Sequence, residues 1–96
     1  MKIFFVQGKV WKYPGLASWH FIYVPKKDSE KIRKIATTKK EGWGYIKTKA
    51  TIGKTSWETT LFPSKEGPYL LAIKAAVRKK EGIFDGDLIR TKLTLL

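Results

Sequence analysis

The clearest pattern lies near the end of the chain. From Leu88 to Leu95, polar and apolar positions alternate: Ile89, Thr91, Leu93 and Leu95 share one side, and Leu88, Arg90, Lys92 and Thr94 the other. Period two with one wetter face predicts a half-buried strand. Ahead of it, Tyr69 to Ile73 reads as a strand and Lys74 to Glu81 as a short basic helix, because alanine, lysine and arginine are good helix formers. Gly82 can take the left-handed conformation that closes a helix, and apolar Ile83 after it suits a Schellman-type end. Lys79 and Lys80 complement the helix dipole. Asp85-Gly86 supplies a turn.

The same reading covers the rest of the chain. Lys2 to Tyr13 predicts a strand with Phe4, Val6, Gly8 and Val10 on one face and Ile3 and Phe5 opposite. Apolar residues on both faces suit a central or barrel strand. Gly8 inside it implies a bulge or a close backbone approach. After the Pro14-Gly15 turn, Ser18 to Val24 is a strand rich in aromatic and β-branched residues, ended by Pro25. A helix follows, with Asp28 or Ser29 as cap and Glu30 in the first turn. Ile32, Ile35 and Ala36 form its buried stripe, and Lys31, Arg33, Lys34, Lys39 and Lys40 face water. Gly42 is its stop, and Gly42-Trp43-Gly44 a loop. Tyr45 to Ile52 alternates as a strand, with Ile46, Thr48, Ala50 and Ile52 on one side and Tyr45, Lys47, Lys49 and Thr51 on the other. Gly53-Lys54 turns the chain into a strand from Thr55 to Phe62, which Pro63 ends before a polar loop.

Phe21 to Ile52 and Tyr69 to Leu95 both read strand, basic helix, glycine, strand, which is an internal repeat. Six strands and two short helices in residues 1–96 predict a single mainly-β barrel domain with helices capping its ends. Val6, Ile46, Ile52, Leu71, Ile73, Ile89 and Leu93 are the expected core.

Charge changes this picture most. Twenty Lys and Arg stand against eight Asp and Glu, a net charge of +12 in 96 residues. There is no cysteine, hence no disulfide, thiolate nucleophile or cysteine metal site. No apolar run approaches the roughly 18 residues of a membrane span, and the start is too short and soon too polar for a signal peptide. The expectation is a cytoplasmic protein with no membrane partner. Asparagine is absent and glutamine and methionine occur once each. Depletion of thermolabile residues suits a thermophilic source, and composition drift in a lysine-rich chain explains it equally well.

Candidate chemistry is sparse. Gly53-Lys54-Thr55 has the form of a P-loop tail, but the glycine required five residues earlier is Thr48. Gly53 also lies between two strands, so a hairpin turn is the reading. His20, the only histidine, sits in a strand among aromatics with no ligand partner in view, so neither metal nor cofactor is expected. Ser18, Ser29, Ser56 and Ser64 lie in no nucleophile elbow. Asp85 and Asp87 are assigned to their turn, and Glu58 to an exposed, lysine-paired strand position. Without paired carboxylates, an enzyme is not expected. A small-molecule or enzymatic site around Trp19, His20, Trp43 and Trp57 would require a deep aromatic pocket holding His20 and Glu58.

Gly42-Trp43-Gly44, Ala50-Thr51-Ile52-Gly53, Thr59-Thr60-Leu61-Phe62-Pro63, Tyr69-Leu70-Leu71-Ala72-Ile73-Lys74, Val77-Arg78-Lys79 and Gly86-Asp87 occur in that order. Together they resemble a widespread prokaryotic domain of unknown function, found alone or fused to a segment associated with bacteriocin protection. The resemblance covers nearly the whole chain. It implies a pseudo-symmetric six-stranded double-split β-barrel with two short capping helices, distantly related to AbrB-type transcription regulators. Ala72 stands where that family usually has proline. AbrB-type regulators are dimers of short chains, whereas one chain here holds both halves, so no DNA-contacting residue carries over.

The functional expectation therefore rests on charge. Cations neutralise phosphates, and aromatic rings stack on exposed bases. Lys47, Lys49, Arg90 and Lys92, with Trp43 and Tyr45 beside them, are the expected nucleic-acid-binding residues. The partner would be DNA or RNA, held weakly and without sequence preference, because lysine outnumbers arginine and bidentate base reading needs arginine. The alternative is a protein-interaction or structural module whose charge serves only solvation.

Overall fold

Every alternating stretch becomes a strand in the computed structural model, which describes residues 2–15, 19–39 and 45–96, with residues 37–39 as backbone alone. The elements are β1 (Ile3–Lys9), β2 (Trp11–Lys12), β3 (His20–Tyr23), α1 (Lys26–Lys39), β4 (Ile46–Ile52), β5 (Thr55–Phe62), β6 (Leu70–Ala72), α2 (Ala75–Glu81) and β7 (Leu88–Leu95). The expected helix stop at Gly42, Lys40, the Gly42-Trp43-Gly44 loop and the expected strand start at Ser18 lie outside the described residues.

All pairings are antiparallel, in the order β1-β7-β4-β5-β6-β3-β2. The two ends of this sheet, β1 and β2, are consecutive in the chain, so the sheet curls into a nearly closed barrel. Seven strands among the described residues replace the six expected because the first strand breaks at Val10. The Val10 N–H donates to the Asp87 carbonyl at 2.8 Å, and its carbonyl accepts from the Gly86 N–H at 2.7 Å. Both groups are thus committed to the Asp85-Gly86 turn, and only beyond them do Trp11 and Lys12 join β3. Of the two settings expected for the first strand, central or barrel, the barrel holds: β1 pairs with β7 alone, and Ile3 and Phe5 face outward, Phe5 at 78% exposure. Gly8 marks the close approach. A Cβ there would lie 3.0 Å from Ile22 Cβ and 3.1 Å from the Tyr23 carbonyl.

The internal repeat is a pseudo-two-fold axis. Exchanging the first half (β1, β2, β3, α1, β4) with the second (β5, β6, α2, β7) carries each pairing onto another. The β3–β6 and β4–β7 pairs map onto themselves, so the axis passes through both. At the β4–β7 pole, Ala50 stands across from Leu93, while Lys49 faces Thr94 and Thr51 faces Lys92. Ile46-Lys47-Thr48-Lys49-Ala50-Thr51-Ile52 and Ile89-Arg90-Thr91-Lys92-Leu93-Thr94-Leu95 are the same pattern on either side of it.

Inward residues fill the barrel. Val6, Val10, Ile22, Ile46, Ala50, Ile52, Trp57, Leu61, Leu71, Ile73, Ile89, Leu93 and Leu95 are buried, including all seven expected core residues. From α1, Ile32 is fully buried and Ile35 and Ala36 pack against the core. The start of α1 differs from expectation: the helix begins at Lys26, directly after Pro25, and neither Asp28 nor Ser29 is its cap. Asp28 lies in the first turn, where its charge suits the dipole. Ser29 is buried, its hydroxyl donating to the Val24 carbonyl at 3.1 Å and accepting from the Tyr69 N–H at 3.0 Å. It ties the helix to the ends of β3 and β6. α2 ends as expected at Gly82, with φ 64°.

Candidate functional site

Strand alternation aims Lys47 and Lys49 outward from β4, and Arg90 and Lys92 outward from β7; all four are exposed. Because β4 and β7 are hydrogen-bonded neighbours, the four cations share one face. They are also two-fold equivalents: Lys47 corresponds to Arg90, and Lys49 to Lys92. Tyr45 continues the outward alternation of β4, but its ring packs edge-on against Phe62 at 5.5 Å. Trp43 lies outside the described residues. Glu58, the acid on this face, is exposed and stands across the ladder from Lys49, where opposite charges are favourable.

A groove of about 580 Å³ runs beside the cations, lined by Phe5, Gln7, Thr51, Gly53, Arg90 and Lys92 among others. Arg90 Nε donates to Gln7 Oε1 at 3.3 Å, and the Thr51 and Ser56 hydroxyls are 2.8 Å apart. Phe5, Gln7 and Thr51 were not among the site residues expected from the sequence, which placed Phe5 on the face of its strand opposite Val6. The likeness of the β4 and β7 sequences was the available signal for the paired cations.

The opposite pole carries different chemistry. Outward residues of β2, β3 and β6 are Trp11, Phe21, Tyr23, Leu70 and Ala72, joined by Tyr13, Trp19 and, from β5, Phe62. Trp11 stacks on Tyr23 and Trp19 on Phe21, at 5.3 and 5.8 Å between centroids. Tyr13, Trp19, Phe21, Phe62 and Leu70 line an apolar cleft of about 260 Å³. Alternation at Trp19, Phe21 and Tyr23 was the readable signal for this face.

His20 faces inward and is buried. With Trp19, Ala72, Ile73, Lys74, Ala75 and Arg78 it lines a second cleft of about 230 Å³. Trp57 is in the core and Glu58 on the outer face of β5, so the structure does not gather His20, Trp57 and Glu58 into one pocket. Gly53-Lys54 is a hairpin turn, with Ile52 paired to Thr55, and the Thr55 hydroxyl donates to Glu81 Oε2 at 2.6 Å. Asp87 Oδ2 accepts from the Phe84 N–H at 2.8 Å and so serves its turn. Among the described residues, no three His, Cys, Asp or Glu side chains group as metal ligands, and no helix is long and apolar enough to cross a membrane.

The profile of the family described as Domain of unknown function (DUF1905) matches residues 7–93. No curated protein matches the chain.

Proposed function

We propose that this chain, which belongs to the DUF1905 family, is a non-catalytic cytoplasmic binding domain that holds nucleic acid through the outer face of β4 and β7. The observation that carries the reading is the two-fold set Lys47, Lys49, Arg90 and Lys92, four exposed cations on one hydrogen-bonded strand pair. Such an array attracts a phosphate backbone and releases its counterions, which gives weak, sequence-tolerant and salt-sensitive binding.

Fluorescence-anisotropy titration against DNA and RNA across a salt series tests it. The Lys47→Glu/Lys49→Glu double variant is expected to bind more weakly and to flatten the salt slope by about one unit for each phosphate it no longer neutralises. Unchanged affinity and slope would remove β4 from the site. The second reading, a protein-interaction module, is favoured by the exposed lysines and arginines that also cover α1 and α2, including Lys31, Lys34, Lys79 and Lys80. No binding even in dilute salt would select it.

A further inference from the structure

The two poles are joined by a continuous outer track. It starts at Lys49 and Lys47 on β4 and reaches Tyr45, whose ring meets Phe62. Phe62 and Leu70 line the apolar cleft together with Phe21, Trp19 and Tyr13. Trp19, 52% exposed, also lines the neighbouring cleft that holds Lys74 and Arg78, so one indole separates an aromatic compartment from a cationic one. Arg78 is held in place by its Nε donating to the Ile73 carbonyl at 3.0 Å. The order along the track is therefore cations, rings, cations.

We propose that this track binds single-stranded nucleic acid in preference to duplex, with bases stacked on Tyr45, Tyr13 and Trp19, and phosphates held at Lys47 and Lys49 at one end and Lys74 and Arg78 at the other. The inference rests on the nucleic-acid reading above and names its substrate. Charge complementarity selects the occupant, since cations flank the rings at both ends. Stacking selects the single strand, because the base faces of a duplex are already covered by their neighbours and cannot lie on Tyr45, Tyr13 or Trp19. The cleft is smaller than the roughly 300–1,000 Å³ of pockets that enclose a whole small molecule, and it suits one flat ring laid against a wall. Stacking on aromatic side chains tolerates any base, which agrees with the absence of a bidentate reader.

The test is anisotropy titration of the intact protein with a labelled oligonucleotide, single-stranded and as its duplex, at several salt concentrations. The wild-type chain is expected to bind the single strand more tightly. Trp19→Ala is expected to lower single-strand affinity by about 5- to 150-fold, the range for removal of one stacked base, and to leave duplex affinity unchanged. Lys74→Glu, an exposed position independent of ring packing, is expected to reduce the single-strand salt slope by about 0.7. Circular dichroism and thermal melts confirm that each variant is folded. Duplex bound as tightly as single strand, or Trp19→Ala without effect while Lys47→Glu/Lys49→Glu weakens binding, overturns this inference and leaves the basic-face reading standing. Binding to neither form in dilute salt overturns both. A wild-type dimer on size exclusion that becomes monomeric in Trp19→Ala also overturns it, because the rings would then be covered by a second copy of the chain.

Discussion

The β4–β7 pole and the β3–β6 pole are built alike and dressed differently. Each is a pair of two-fold-related antiparallel strands with an aliphatic pair at the centre of its inner side: Ala50 and Leu93 at one, Ile22 and Leu71 at the other, with buried Thr48 and Thr91 beside the first pair and His20 beside the second. Outward, the first presents Lys47, Lys49, Arg90 and Lys92, and the second Phe21, Tyr23 and Leu70. Like inner centres with unequal exteriors mean that the barrel constrains chiefly every second residue of its strands. The other half was free to diverge into a cationic face and an aromatic one.

The strongest way to break this comparison is through the interiors. Leu93→Ala and Leu71→Ala each remove a side chain with no exposure, one per pole, and each is expected to cost about 2–5 kcal/mol in denaturant melts. A mild effect at one pole alone would show that the interiors are not equivalent. Gly8→Ala probes where β1 crosses β3. Its Cβ would press on backbone as well as on Ile22, for an expected destabilisation of about 1–3 kcal/mol. Ser29→Ala probes the aromatic pole, where the hydroxyl bridges α1 to the ends of β3 and β6. It leaves the Tyr69 N–H buried without its partner, at an expected cost of about 1–3 kcal/mol by the same melts. At the cationic pole, Lys47→Glu/Lys49→Glu is expected to cost no more than about 1 kcal/mol, through the like-charge pair that Lys49→Glu makes with Glu58, while altering the salt dependence of binding. A large destabilisation there would mean that those lysines serve the fold.

Legibility followed the same inside–outside division. β5 and β7 match their expected spans residue for residue, β7 because alternation over eight positions is unambiguous and β5 because the Gly53-Lys54 turn and Pro63 bracket it. The core residues followed from the same periodicity. The start of α1 was misplaced because Asp28 and Ser29 are good caps in isolation, while Pro25 permits an earlier start and Ser29 is used in a tertiary contact. The break at Val10 could not be read locally, because its hydrogen-bond partners lie in the Asp85-Gly86 turn, far along the chain. The cations of the candidate site were legible, and their being neighbours depended on the β4–β7 pairing. Phe5 was not legible as a groove residue, because apolar residues on both faces of a strand suit a central strand as well as a barrel strand with an exposed ring.

The Val10 break has a consequence for how the barrel comes together. β1 and β5 are equivalent in the finished barrel, yet their routes to it differ. β5 meets β4 across the Gly53-Lys54 turn, a short loop with little closure entropy. β1 pairs with β7, joining Ile3 to Thr94 across nearly the whole chain, and Val10 waits on the turn that precedes β7. Non-local pairings of this kind set the pace of folding. Until β7 is in place, the first strand is an unpaired apolar edge, the kind of surface most open to wrong partners. A structure symmetric in space thus holds one seam that is local along the chain, β4 with β5, and an equivalent one, β1 with β7, that is not.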